Sequence, residues 1–202
     1  QPNAGGMHIT RKPRTQVILM KKLCAAVLVC GLGVSATYAQ NLSISLGIRE
    51  TGGSGPIFSD AGSSGSIEWV NKDGQTLVTD GTWQLFTFTP STDTLAGFTG
   101  NGALDGDWVT LEHIRILNSE GITAPIRMWL DDVTNTDSLG STTEGFEGFQ
   151  VGDEVMFQEP SFSGSTSGKV EPGGTSLVSD SDAYSGTLAN EINFQFVNDD
   201  AA

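Results

Sequence analysis

The residue types best suited to ligand chemistry lie in one run near the middle of the chain, residues 126–135, with the sequence IRMWLDDVTN. Trp129 supplies a flat apolar ring on which a sugar ring can stack, and Arg127 supplies N–H donors for hydroxyl groups. Asp131 and Asp132 follow directly, and carboxylate oxygens are the ligands that Ca²⁺ prefers. The run therefore combines the residue types of a sugar-binding surface with those of a calcium site.

The same run alternates with a period of two, which predicts a β-strand. Ile126, Met128 and Leu130 fall on one side, and Arg127 and Trp129 fall on the other. If the apolar side packs in a core, Trp129 faces outward and is open to a ligand. The alternative is that both sides of the strand are covered and that Trp129 belongs to the core.

A second long strand is predicted over residues 107–118, DWVTLEHIRILN. Val109, Leu111, His113 and Arg115 would share one side, so neither side of the strand is purely apolar. This mixture fits a central strand with one face in the core and the other in a partly lined groove. His113 and Arg115 are therefore added to the ligand-binding candidates.

No residue pattern in the chain indicates catalysis. His113 is the one histidine after residue 39, and a lone histidine without cysteine partners cannot build a zinc site. The chain has no G-x-S-x-G nucleophile motif. Acids such as Asp105, Asp107 and Glu112 could pair as in a glycosidase, but clusters of this kind arise by chance in a chain with 24 acidic residues.

Residues 1–39 are interpreted as upstream sequence and a secretory signal peptide. A short positively charged segment that begins at Met20 is followed by an apolar run over Leu23–Val34. The small residues that end at Ala39 suit cleavage ahead of Gln40. Met7 is an alternative start. The apolar run is shorter than the roughly 20 residues of a membrane-spanning helix. We expect a secreted, periplasmic or cell-surface protein that is not inserted in the membrane after cleavage.

The remaining chain is strongly acidic and has no cysteine. Cys24 and Cys30 both lie in the predicted signal peptide, so disulfide bonds are not expected. Five of the ten Lys and Arg residues are removed with it and none of the 24 acids, which leaves a net charge of −19. Nucleic acid and anionic membrane are poor partners for such a surface, whereas neutral sugars and divalent cations are compatible with it.

The pattern of short apolar runs separated by Gly, Ser, Asn and Asp predicts an all-β fold. Residues 41–48 (NLSISLGI) and 82–89 (TWQLFTFT) alternate as strands, and Asp73-Gly74 marks a hairpin turn. No stretch shows a sustained helical period with capping residues. A sandwich of two antiparallel sheets is the expected architecture.

The strand Trp83–Phe88, the later long strand and the closing Leu130-Asp131-Asp132-Val133 together resemble carbohydrate-binding modules of the galactose-binding-like type. The resemblance covers about residues 45–135 and implies a jelly-roll β-sandwich domain over 40–135. In many such modules an acid of the closing strand helps to hold a structural Ca²⁺. Asp132 or Asp131 matches that position, and Glu50 is the nearest match to the first-strand acid of the family.

The C-terminal part resembles the beginning of a second module of this kind. Residues 136–143 are expected to form a linker, and residues 144–202 an incomplete second β-sandwich module. Glu147 matches the first-strand acid that the family uses for calcium. This organisation implies a monomer or a part of a longer chain.

These observations predict a secreted, non-catalytic carbohydrate-binding protein that attaches to a polysaccharide or a cell-surface glycan. One alternative is a structural or adhesive extracellular β-sandwich that binds no sugar. The other is an accessory region of a polysaccharide hydrolase whose catalytic domain lies elsewhere.

Overall fold

A computed structural model describes residues 15–21, 41–51, 66–105, 108–137, 140–161 and 168–197. Within these ranges the chain forms ten β-strands and no helix. The strands make two antiparallel sheets that enclose one hydrophobic core. The all-β sandwich predicted from the sequence is therefore confirmed. Because the described ranges contain no helix, they also contain none that could cross a membrane.

The larger sheet has six strands: β1 (Thr15–Lys21), β4 (Trp83–Phe88), β7 (Ile126–Asp137), β8 (Gly140–Glu144), β9 (Thr175–Ser179) and β10 (Ala189–Phe194). Their order is β4-β1-β7-β10-β9, and β8 pairs with the end of β7. The smaller sheet has four strands: β2 (Asn41–Thr51), β3 (Ile67–Val78), β5 (Leu95–Gly97) and β6 (Trp108–Leu117). Their order is β5-β3-β2-β6.

Regular alternation in β2 and in the first half of β7 builds the core. In β2 the side chains of Leu42, Ile44, Leu46 and Ile48 are almost fully buried. Each such side chain contributes about 1.5–3 kcal/mol when it is removed from water. In β7 the predicted apolar side, Ile126, Met128 and Leu130, is buried in the same core.

A β-bulge in β6 makes its alternation differ from the one predicted from the sequence. Gly47 of β2 pairs with His113, but the next residue, Ile48, pairs with Leu111, so Glu112 is an extra residue. Such an insertion switches the sides of the strand. Leu111 is therefore buried in the core, whereas His113 pairs with a residue on the outer side of β2. The prediction that these two residues share one side is wrong.

The segment predicted as a second module contributes to the same sandwich. Strand β10 pairs with β7, and β9 pairs with β10. Phe146, Val178 and Phe196 belong to the same core cluster as the side chains of β2. A linker was expected over residues 136–143, but the described residues of this range form the end of β7 (to Asp137) and most of β8 (from Gly140).

Strand β1 lies between β4 and β7 and pairs antiparallel with both. It overlaps the predicted signal peptide at Met20 and Lys21. Cleavage before Gln40 stays a prediction, and it has a structural consequence. Removing β1 would leave the backbone N–H and C=O groups of β4 and β7 unpaired on their facing edges.

Candidate ligand-binding surface

The outer face of the smaller sheet carries a row of aromatic side chains arranged around a glycine. Trp69 of β3 pairs with Gly47 of β2, which in turn pairs with His113 of β6. The Trp69 and His113 rings meet across this glycine, with 5.8 Å between their centroids. A Cβ atom at position 47 would lie 2.8 Å from Cζ3 of Trp69 and 3.0 Å from Cβ of His113. The glycine is therefore what allows the rings to approach.

Phe98 completes this cluster from the turn that follows β5. Its ring centroid lies 5.1 Å from that of Trp69 and 6.1 Å from that of His113. The backbone N–H of Phe98 donates to the carbonyl of Ile67, which anchors the turn to β3. Trp69 is half-buried, and Phe98 is 40% exposed. We call Trp69, Phe98 and His113 the aromatic face.

Cationic side chains border the aromatic face. The Arg115 guanidinium lies 5.1 Å from the Trp69 ring centroid, and Nη1 donates to the carbonyl of Lys72 at 3.3 Å. Among the described residues Arg115 has no carboxylate within 4 Å. Arg49, at the other end of the row, is ion-paired with Glu112 at 2.6 Å. Arg115 thus keeps N–H donors for a ligand beside an aromatic ring.

The ionisation states on this face follow from burial and pairing. Burial lowers the pKa of His113, although the Glu112 carboxylate opposes the shift, so the imidazole is neutral at pH 7. A hydrogen bond from Arg49 lowers the pKa of Glu112. In the described part of the chain, Nδ1 of His113 and Oγ of Ser45 are buried without a hydrogen-bond partner. These two atoms are closed to solvent, so a ligand on this face cannot reach them.

Two buried carboxylates fix the loop behind Phe98. Glu68 is fully buried and accepts hydrogen bonds from the N–H groups of Asn101 at 3.0 Å and Gly102 at 2.9 Å. Glu50 accepts from the N–H of Asp105 at 2.5 Å and from Oγ of Ser66 at 3.1 Å. Glu50, predicted as a calcium ligand, therefore tethers a loop of the smaller sheet.

Trp129, predicted as the exposed platform, is covered. Its side chain is only 3% exposed, and Nε1 donates to Oγ of Ser181 at 2.9 Å. Arg127 lies 4.6 Å from its ring centroid and donates to both carboxylate oxygens of Glu191 at 2.8 and 2.7 Å. The expectation of an open ring at Trp129 is wrong, and the alternative, with both sides of β7 covered, describes this residue.

Glu191 is the centre of this polar network on the larger sheet. Burial opposes its ionisation, but hydrogen bonds from Arg127, Ser181, Asn193 and Ser179 outweigh burial and lower its pKa to about 2. The carboxylate is therefore ionised at neutral pH and fully engaged. Arg127 and Trp129 are engaged by Glu191 and Ser181 on the larger sheet, whereas His113 and Arg115 lie on the smaller sheet.

Asp131 and Asp132 both accept hydrogen bonds from the turn that begins at Tyr184. Asp131 is fully buried and accepts from the N–H groups of Asp132 at 2.7 Å, Tyr184 at 2.8 Å and Ser185 at 3.0 Å. Burial raises its pKa in spite of these bonds. Asp132 accepts from Oγ of Ser185 at 3.0 Å.

A local backbone change explains how two neighbouring residues reach one turn. Asp132 has a φ of +47°, and the pairing of β7 with β1 is irregular next to it. Aspartate tolerates this left-handed conformation better than most residues. The change puts Val133 in the core, where simple alternation would have placed the Asp132 carboxylate. Regular alternation could not have predicted this arrangement.

The carboxylates predicted to bind calcium, Glu50, Asp131, Asp132 and Glu147, accept hydrogen bonds from backbone N–H groups or hydroxyl groups in this structure. Glu147 accepts from the N–H groups of Thr187 at 2.7 Å and Leu188 at 2.8 Å, much as Asp131 binds the N–H groups of Tyr184 and Ser185. An ionised carboxylate has about four lone-pair sites, so calcium binding by these residues stays a prediction. Among the described side chains, no group of three or more His, Cys, Asp or Glu is placed to hold a metal ion.

Comparisons with protein-family models, curated proteins and solved structures find no match to this chain. The geometry is therefore the basis for assigning a site. It brings together His113 and Arg115, which were predicted, with Trp69 and Phe98, which were not. The overlooked signal was Gly47, because a glycine inside an alternating strand marks a close approach by a neighbour.

Proposed function

We propose that this chain is a secreted, non-catalytic carbohydrate-binding protein that holds a polysaccharide or a cell-surface glycan on its aromatic face. The observation that carries the proposal is the partly exposed Trp69–Phe98 pair beside Arg115. Aromatic faces provide apolar area for the C–H side of a sugar ring. A few convergent polar groups around such an area orient the ligand.

The contacts that hold the aromatic face in place make it rigid before a ligand binds. Gly47 sets the separation of the Trp69 and His113 rings, and the Glu68 tether fixes the loop beside Phe98. Side chains that are already ordered lose less entropy on binding. The rings of the aromatic face come from neighbouring parts of one sheet, which suits an extended polymer whose successive sugar rings lie along them.

The carboxylates near this face support binding without catalysis. Glu112 is ion-paired with Arg49, and Glu50 and Glu68 are occupied by backbone N–H groups. A glycosidase needs two carboxyl groups free to act on one glycosidic bond, as acid and as base or nucleophile. The jelly-roll topology implied by the sequence resemblance is part of the same proposal.

The test is affinity electrophoresis of the full chain through native gels that contain barley mixed-linkage β-glucan, xylan or galactomannan. The acidic chain migrates well in such gels, and binding retards it. We expect at least one polymer to retard the wild-type chain and Trp69→Ala to abolish most of the retardation. Phe149→Ala is the matched control, because Phe149 is an exposed aromatic residue outside the aromatic face.

Two outcomes would overturn the proposal. Lack of retardation by every polymer, including insoluble cellulose and chitin in pull-down assays, would favour a structural or adhesive β-sandwich. Retardation that is equal in the wild type, Trp69→Ala and Phe149→Ala would show that the aromatic face does not bind the polymer.

A further inference from the structure

A second aromatic pair, the half-buried Trp83 and the exposed Tyr184, lies on the outer face of the larger sheet. In β4 the side chains of Phe86 and Phe88 are buried in the core, so alternation directs Trp83 and Leu85 outward. The Trp83 ring meets Tyr184 edge to face, with 5.8 Å between centroids and 71° between planes. Tyr184 is 54% exposed and Leu85 is 62% exposed. Neither Tyr184 nor Leu85 belongs to the core cluster.

The turn that carries Tyr184 is held by hydrogen bonds to a buried carboxylate. The carboxylate of Asp131 is fully buried, and it accepts hydrogen bonds from the backbone N–H groups of both Tyr184 and Ser185. Glu147 accepts from two further N–H groups of the same segment, at Thr187 and Leu188. Burying a carboxylate costs free energy unless it is satisfied. The buried Asp131 carboxylate thus fixes a turn whose exposed side chain is the aromatic ring of Tyr184.

We propose that Trp83 and Tyr184 form a second sugar-binding site and that the protein is bivalent. This inference rests on the proposed function, because it assigns the same ligand class to both sites. The ligand is a neutral polysaccharide, because three acids lie near the pair. Asp80 and Asp182 are close to it in sequence, and Asp132 accepts a hydrogen bond from Ser185, the neighbour of Tyr184. Acids accept hydrogen bonds from hydroxyl groups and repel anionic polymers.

The two sites point in opposite directions. Trp69 lies on the outer face of the smaller sheet and Trp83 on the outer face of the larger one, with the common core between them. The two outer faces are directed away from each other across both sheets and the core, so one short oligosaccharide cannot lie on both faces. The two sites therefore bind two chains, and the protein cross-links the polymer.

The experiment is isothermal titration of the full chain with the hexasaccharide of the polymer that retards it, cellohexaose, xylohexaose or mannohexaose. We expect a stoichiometry of two for the wild type and of one for either Trp69→Ala or Tyr184→Ala. The double variant should bind none. Tyr184→Phe keeps the ring and should keep both sites, whereas Tyr184→Leu keeps apolar bulk without an aromatic ring and should lose one.

Asp131→Asn tests the anchor as a positioning group. It should weaken the second site by about tenfold and leave the first site unchanged, because Asp131 contacts the turn of Tyr184 and not the aromatic face. Cross-linking is read separately as turbidity of the polymer, which should appear with the wild type and disappear in each single-site variant.

The failures are distinguishable. A wild-type stoichiometry of one that is lost in Trp69→Ala and kept in Tyr184→Ala and Tyr184→Leu overturns the second site and leaves the proposed function intact. A stoichiometry of one that depends on Tyr184 alone overturns both bivalency and the aromatic face. No heat with any hexasaccharide, together with no retardation in gels, overturns both proposals.

Discussion

Replacing Glu191 by glutamine should weaken the larger sheet and remove part of the acid dependence of the protein's stability. The wild-type carboxylate accepts two hydrogen bonds from Arg127, which in turn lies over the Trp129 ring. It also accepts from Oγ of Ser181 and Oγ of Ser179. Glutamine has one acceptor oxygen in place of two and no charge, so it cannot keep the bidentate pair.

The magnitude follows from the pKa of Glu191, which the network lowers from 4.5 to about 2. One pKa unit corresponds to about 1.4 kcal/mol, so the full shift would be about 3 kcal/mol. The Arg127 side chain is 43% exposed, and solvent screening reduces the contribution of such pairs. We therefore expect Glu191→Gln to lower the free energy of unfolding by about 1–2 kcal/mol at pH 7.

The sign of the pH dependence is fixed by the same values. Because the folded pKa lies below the unfolded one, the stabilisation is fully present above pH 4.5 and is lost as the pH falls through about 2. Urea unfolding of the wild type and Glu191→Gln at pH 7 and pH 3 measures this. The difference between the two proteins should shrink to less than about half at pH 3.

Glu154→Gln is the matched control, because Glu154 is exposed. It should change stability by less than about 0.5 kcal/mol. Equal stability of Glu191→Gln and Glu154→Gln at pH 7, or an equal loss in Glu191→Gln at both pH values, would show that the Glu191 carboxylate does not stabilise the fold in this way.

Three further predictions concern the aromatic face and β1. Gly47→Val should displace the Trp69 ring, because even a Cβ atom meets it at 2.8 Å, and should weaken polymer retardation at least about tenfold; retardation unchanged from the wild type would contradict this. His113 has a lowered pKa, so stability should fall as the pH drops below 6.5, and His113→Gln should flatten that slope in urea titrations; an unaltered slope would show that His113 is not its source. A chain beginning at Gln40 lacks β1 and should melt about 10 °C lower than the full chain, and a peptide of residues 15–21 added in trans should restore part of the loss, whereas equal melting temperatures would show that β1 does not stabilise the sandwich.

The regular strands could be predicted from the sequence because burial imposes a period of two on them. Leu42, Ile44 and Leu46 of β2 show this period, and all three are buried in the core as expected. Where the backbone departs from regular pairing, the prediction failed. The bulge at Glu112 and the left-handed backbone at Asp132 each reverse the side on which the following residues lie.

The candidate site was predicted only in part for a related reason. His113 and Arg115 were selected as polar residues on a central strand, and they do lie on the aromatic face. The sequence points to Trp129 because it lies opposite a purely apolar strand side and beside Arg127. Whether a strand side is open depends on distant residues that cover it, here Ser181 and Glu191, and these contacts have no local signal.

The most direct test of the account is an NMR titration of the indole N–H signals with the hexasaccharide. The chain has four tryptophans, so four indole signals can be assigned by single Trp→Phe substitutions. We predict that the Trp69 signal shifts on binding, that the Trp83 signal shifts at the second site, and that the signal of the buried Trp129 stays in place. A titration in which Trp129 shifts and Trp69 does not would contradict it.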